Sequence, residues 1–93
     1  MKKQLVYKST FLKAYDKLPD GKRQAVIDAV GSLCAGLATG RFAAGLGVKH
    51  LAGQIYEFRV DLNLRGVYLV TGTQVILALL GNHDDVRRYL KNS

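Results

Sequence analysis

From Ile55 to Leu62 the chain alternates, with Tyr56, Phe58, Val60 and Leu62 at one parity and Ile55, Glu57, Arg59 and Asp61 at the other. That period of two is the mark of a strand with one buried face, and a helix cannot satisfy it. A second strand is expected from about Leu64 to Thr71, and Thr71, Gly72 and Thr73 supply a tight hairpin turn. Val75 to Leu80 is apolar at both parities, as expected of a central strand with cover on both faces. A sheet is therefore obligatory in the C-terminal half.

The N-terminal half has a different period. After a short strand candidate, Lys3 to Lys8, Ser9 or Thr10 can cap a helix that carries Phe11, Tyr15 and Leu18 on one stripe and stops at Pro19. Asp20 can cap a longer helix, in which Val26, Val30, Leu33 and Leu37 recur at helical intervals until Gly36 and Gly40 bracket its end. The stretch Gly40 to Gly47 reads as a flexible connection. It has three glycines but neither a preceding strand nor a following Gly-Lys-Ser/Thr, so it is not a phosphate-cradling nucleotide loop. Lys49 and His50 then lead through a turn at Ala52 to Gln54 into the alternating strand. At the C-terminal end Val86, Tyr89 and Leu90 predict a short helix, with Asp84 or Asp85 as its cap. The expected architecture is α+β in the order β-α-α-β-β-β-α. Two N-terminal helices cover one face of a small, mostly antiparallel four-stranded sheet, and the opposite face stays open.

Ninety-three residues make one domain, 1–93, with enough apolar residues for a single core. Fourteen Lys and Arg against seven acids give a net charge of +7, a field that favours a polyanionic partner. No helix pairs a basic face with bulky aromatics, which argues against a membrane surface. No apolar run is long enough for a signal peptide or a membrane span, so the expected location is the cytoplasm. Cys34, alone and within a helical pattern, reads as a small buried hydrophobe.

The residues with chemistry gather near the alternating strand. Glu57, the only glutamate in the chain, and Arg59 are expected on the same outward face. If the following turn has three residues centred on Leu62, Arg65 lies directly across from Arg59. Such a like-charge pairing costs stability unless an anion lies between the two. A turn one residue longer would send Arg65 to the other face.

Taken in order, the elements, the block VKHLAGQIYEFRVDLNLRGVYLV and the closing GNHDDVRRYL resemble the RelE/ParE superfamily, the toxins of bacterial toxin–antitoxin systems. The block is similar to the family's K-x-L-x-G … R-V … R pattern. The end is similar to the branch whose chains close in a His-Asp-Asp-x-Tyr type motif, except that Arg87 stands where the tyrosine would be and Tyr89 comes two positions later. The resemblance implies a ribosome-dependent endoribonuclease that cuts mRNA without metal or cofactor, by attack of the ribose 2′-OH on the adjacent phosphate. On that reading Glu57 or His50 is the base, and Arg59 and Arg65 clamp the phosphate with Lys49 beside them. His83 or Tyr89 is the acid, and Arg87 and Arg88 extend the RNA-binding surface. The resemblance also implies a cognate antitoxin, expected to be acidic, and promoter DNA bound only by the toxin–antitoxin complex. Other members of the superfamily act on DNA gyrase, and a third class would bind the antitoxin without catalysis.

Overall fold

The computed structural model describes residues 3–92. The elements run β1 (Gln4–Tyr7), α1 (Ser9–Asp16), α2 (Asp20–Thr39), β2 (Lys49–Ala52), β3 (Ile55–Arg59), β4 (Arg65–Val70), β5 (Gln74–Gly81) and α3 (His83–Lys91). They form a five-stranded mixed sheet in the order β1-β5-β4-β3-β2. β1 lies parallel to β5 and the remaining pairs are antiparallel.

The sheet thus has five strands where four were expected. The additional strand is β2, whose four residues break alternation at once. A register shift between His50 and Ala52 and a positive-φ Gly53 turn the chain straight back into β3. β5, apolar at both parities, does occupy a central position, between β1 and β4.

The helix N-caps fall one to three residues before the expected ones. Lys8, not Ser9 or Thr10, is the N-cap of α1. Thr10 instead donates its hydroxyl hydrogen to the Ala78 carbonyl at 2.5 Å, tying α1 to β5. Pro19, not Asp20, is the N-cap of α2; it has no N–H to leave unsatisfied there, and Asp20 pairs with Arg23 within the first turn. At the other end Gly40 takes the left-handed conformation, and its N–H closes the helix on the Gly36 carbonyl. α3 is capped by Asn82 rather than by Asp84 or Asp85: the Asn82 side chain accepts from the Asp85 N–H, and the Asp85 carboxylate accepts from the Asn82 N–H, both at 2.9 Å.

The main core lies between the helical pair and the sheet. Phe11 from α1, Val26, Val30 and Leu33 from α2, and Phe58, Tyr68 and Leu77 from the strands are all buried in it. Gly66 faces Phe58 across the β3–β4 ladder, and a methyl group at Gly66 would overlap the Phe58 ring. The opposite face of the sheet is not open, as had been expected, because α3 folds back over it. Val86 packs there on Val67 and Ala78, with Tyr89 beside them. Leu62, assigned by parity to the buried side, is 84% exposed because β3 ends at Arg59 and Leu62 sits at the tip of the following turn.

Two expectations follow. Gly66→Ala should lower stability by about 2 kcal/mol through overpacking against a ring that cannot yield. Gly31→Ala, at an exposed α2 position whose new methyl meets nothing, should raise it by about 0.5–1 kcal/mol. Urea denaturation of both variants measures the contrast. Alkaline unfolding checks the core from another side. Burial, reinforced by neighbouring Tyr56, pushes the Tyr68 phenol from 10.0 up to about 12. The unfolded chain therefore releases that proton first. The stability carried by neutral Tyr68 is full below pH 10 and is lost as pH rises through about 12, and Tyr68→Phe should flatten that part of the stability profile.

Candidate active site on the outer face of the sheet

The turn between β3 and β4 sets the site. Val60 N–H bonds the Leu64 carbonyl at 2.9 Å, leaving Asp61, Leu62 and Asn63 as the loop. The Asp61 carboxylate accepts from the Asn63 and Leu64 N–H groups at 2.8 and 2.9 Å and also pairs with Lys22 of α2. The Lys22 hydrogen bond, followed by the one from Asn63, holds the Asp61 carboxyl below its ordinary range. Arg59 therefore stands opposite Arg65, and Glu57 opposite both Val67 and Lys49. Cross-strand partners share a face, so the register puts Lys49, Glu57, Arg59 and Arg65 on one face of the sheet, and Arg59, at the end of β3, also borders a cleft with Ala25, Asp28 and Ser32 of α2.

Two of these four side chains are consumed by one another. The Arg65 guanidinium donates from Nη1 to Glu57 Oε2 at 3.1 Å, and Glu57 is only 6% exposed. The sequence placed Glu57 outward in solvent. It does face outward from the main core, but it is buried and ion-paired, because the outer face has its own apolar cover. The anion that the Arg59–Arg65 pairing demands is supplied within the chain. Among the described residues Arg59 and Lys49 make no ion pair.

His83 is the first residue of α3, two positions beyond Gly81, which pairs with Arg65. It is exposed, and its ring makes no hydrogen bond among the described residues. It is thus delivered to the same end of the sheet as Arg59 and Arg65. Gly81 makes that turn feasible, since a side chain there would strike Asp85, the helix-capping carboxylate.

The remaining candidates lie elsewhere. His50 follows Lys49 directly and so points to the other face. There it pairs with Tyr56, its ring 4.9 Å from that of Tyr56, which in turn stacks on Tyr68 at 5.3 Å. Its Nε2 lies 2.7 Å from the Gly53 carbonyl; a carbonyl only accepts, so Nε2 carries the proton. Tyr89 packs on the Val67–Ala78–Val86 cluster. Arg88 is bound to Asp85, while Arg87 is exposed on α3. Sequence reasoning passed over Gly47, which lies against Arg59: its missing Cβ would sit 3.7 Å from Arg59 Nε, and its φ is +62°. The Gly-Leu-Gly spacing was the available signal in a stretch expected to be a flexible connection. Among the described residues no group of three or more His, Cys, Asp or Glu side chains is placed to hold a metal ion.

No protein-family model matches the sequence, and no curated protein is significantly similar to it. Solved structures do match. A chain of the archaeal RelE–RelB complex from Pyrococcus horikoshii superposes with a TM-score of 0.70 at 17% identity, over 88% of this chain and 96% of that one. A chain of the E. coli DinJ–YafQ toxin–antitoxin complex gives 0.70 at 16% identity, over 92% and 98%. A YoeB/ParE toxin from Agrobacterium tumefaciens gives 0.67 at 19% identity, over 86% and 98%. The fold is that of the RelE/ParE toxins.

Within this RelE/ParE fold there is also an apolar groove on the helical side, of about 470 Å³, between β1, α1 and α2. Tyr7, Leu12 and Ile27 line it and remain exposed. Cys34 lies in it too, and burial pushes its thiol up. No helix among the described residues is long and apolar enough to cross a membrane.

The ion pair separates the two arginines energetically. Arg65→Ala strands a buried carboxylate and should cost about 3 kcal/mol. Arg59→Ala removes an exposed cation and should cost less than about 0.5 kcal/mol, so chemical denaturation of the two variants side by side measures the difference.

Proposed function

We propose that this chain is the toxin of a toxin–antitoxin pair and acts as a metal-independent, ribosome-dependent mRNA endoribonuclease. One observation carries the reading: the β2–β3–β4 register gathers Lys49, Arg59 and the Glu57–Arg65 pair on one face, at the end where α3 presents His83. Phosphodiester cleavage by a neighbouring 2′-OH builds charge on the non-bridging oxygens and on the departing 5′ oxygen. Fixed cations stabilise the first, a proton donor relieves the second, and the proton of the attacking 2′-OH passes to solvent water, because Glu57 is buried in its ion pair and His50 faces the other side of the sheet. Arg59 and Lys49, free of internal partners among the described residues, are the cations available to a phosphate. His83 is the proton donor, displacing Tyr89, which is occupied in packing.

The partner follows from a second feature. On a chain of net charge +7, an apolar groove with three exposed large side chains fits an acidic, amphipathic segment, apolar on the groove side and anionic outside. An antitoxin of that chemistry would neutralise the field of the toxin while filling the groove. E. coli DinJ–YafQ and RelB–RelE of Methanococcus jannaschii are themselves toxin–antitoxin complexes.

The test is expression of wild type and Arg59→Ala from tightly repressed promoters, with 5′ ends mapped on a translated reporter mRNA. Wild type should arrest growth and cut within the translated region, and Arg59→Ala should do neither. His83→Gln should lower the cleavage rate by about 10²- to 10⁴-fold. Growth arrest with intact mRNA and altered DNA supercoiling would move the protein to the gyrase-directed class, and absence of toxicity would mark a binding-only member.

A further inference from the structure

Among the described residues Glu57 is the one acidic side chain that is buried, and it is buried beside the cations the site needs. Lys49 is its partner residue across the β2–β3 ladder. Along β3 its neighbour on the same face is Arg59. Diagonally, it takes a hydrogen bond from Arg65 at 3.1 Å. A carboxylate in that position does to Arg65 what a substrate phosphate would do: it satisfies guanidinium donors and cancels the charge. It also removes the cost of setting Arg65 opposite Arg59. The same placement keeps it from serving as the base, since a base for the 2′-OH must reach the substrate, and Glu57 is buried and held by Arg65.

We infer that Glu57 is a positioning residue and an internal counter-anion that holds Arg65 and sets how much positive charge the site offers to RNA. This rests on the ribonuclease reading for the identity of the external anion. Two states follow for Arg65. In the resting chain it is paired with Glu57, and the site presents Arg59 and Lys49 alone. With Glu57 neutralised it becomes a third cation at the same end of the sheet, and RNA binding strengthens, whereas loss of a catalytic base would leave binding unchanged. The energy of the effect is Coulombic, so it must weaken with salt in a defined way.

The experiment measures binding rather than cleavage. A short single-stranded RNA carrying 2′-O-methyl groups throughout cannot be cut by this chemistry and serves as the probe. Glu57→Gln keeps the shape and an acceptor for Arg65 while removing the charge. It should bind the probe roughly three- to tenfold more tightly than wild type at about 0.1 M salt. The slope of log affinity against log salt should steepen by about 0.7, one additional phosphate contact on a single strand. The double variant Glu57→Gln/Arg65→Gln, which leaves no unpaired buried charge, should lose both gains. Equal or weaker binding by a folded Glu57→Gln, with an unchanged slope, overturns the inference, as does retention of the gain in the double variant. If Glu57→Gln does not fold, Glu57→Asp provides the second reading. Its shortened carboxylate should release Arg65 in part and give an intermediate gain, and wild-type binding by Glu57→Asp overturns the inference. Absence of mRNA cleavage by wild type would sink the ribonuclease reading and leave these binding shifts to stand or fall independently.

Discussion

The arrangement of charge on the outer face depends on the β3–β4 register, and that register is set by a carboxylate at the turn. Asp61 accepts two backbone N–H groups and a lysine from α2, closing the strand pair over Asp61, Leu62 and Asn63. One further residue in the loop would reverse the parity of β4. Arg65 would then turn into the main core, and Tyr68 would leave it for the outer face. Because Lys22 lies on α2, the hairpin that orients the site is also fastened to the helical layer. The site and the core thus share one constraint.

The second dependence is between Glu57 and Arg65. A buried carboxylate is tolerable only when paired, and an arginine opposite another arginine is tolerable only when neutralised. Each cures the other's defect. What is left over, Arg59 lying against Gly47 and Lys49 on the edge strand, is the cationic surface an external phosphate would meet. His83 reaches the same end for an unrelated reason: the Asn82–Asp85 capping box starts α3 immediately after β5, and Gly81 gives the capping carboxylate room.

On the helical side the exposed Tyr7, Leu12 and Ile27 surround a groove that the chain itself leaves unfilled. The two faces of the molecule therefore have separate chemistry. One is apolar and shaped by helix packing; the other is charged and shaped by strand register. A partner that occupies the first while countering the field of the second would need both apolar and acidic residues in one segment, which is the composition proposed for the antitoxin.

Local sequence determined the elements. The period-two stretch at 55–62, the doubly apolar run at 75–80 and the helical stripes through Phe11 and Leu33 each encode their own conformation. Their sum was enough to resemble a RelE/ParE fold, which the superposed structures match. Three outcomes were decided only in three dimensions. β2 became a strand because β3 offered an edge, which four residues of sequence could not announce. The outer face was covered because α3 folded back onto Val67 and Ala78, so a carboxylate expected in solvent became buried. The pairing of Glu57 with Arg65, eight residues away, then followed from burial, since the cost of an isolated charge is a property of its surroundings and not of its place in the chain.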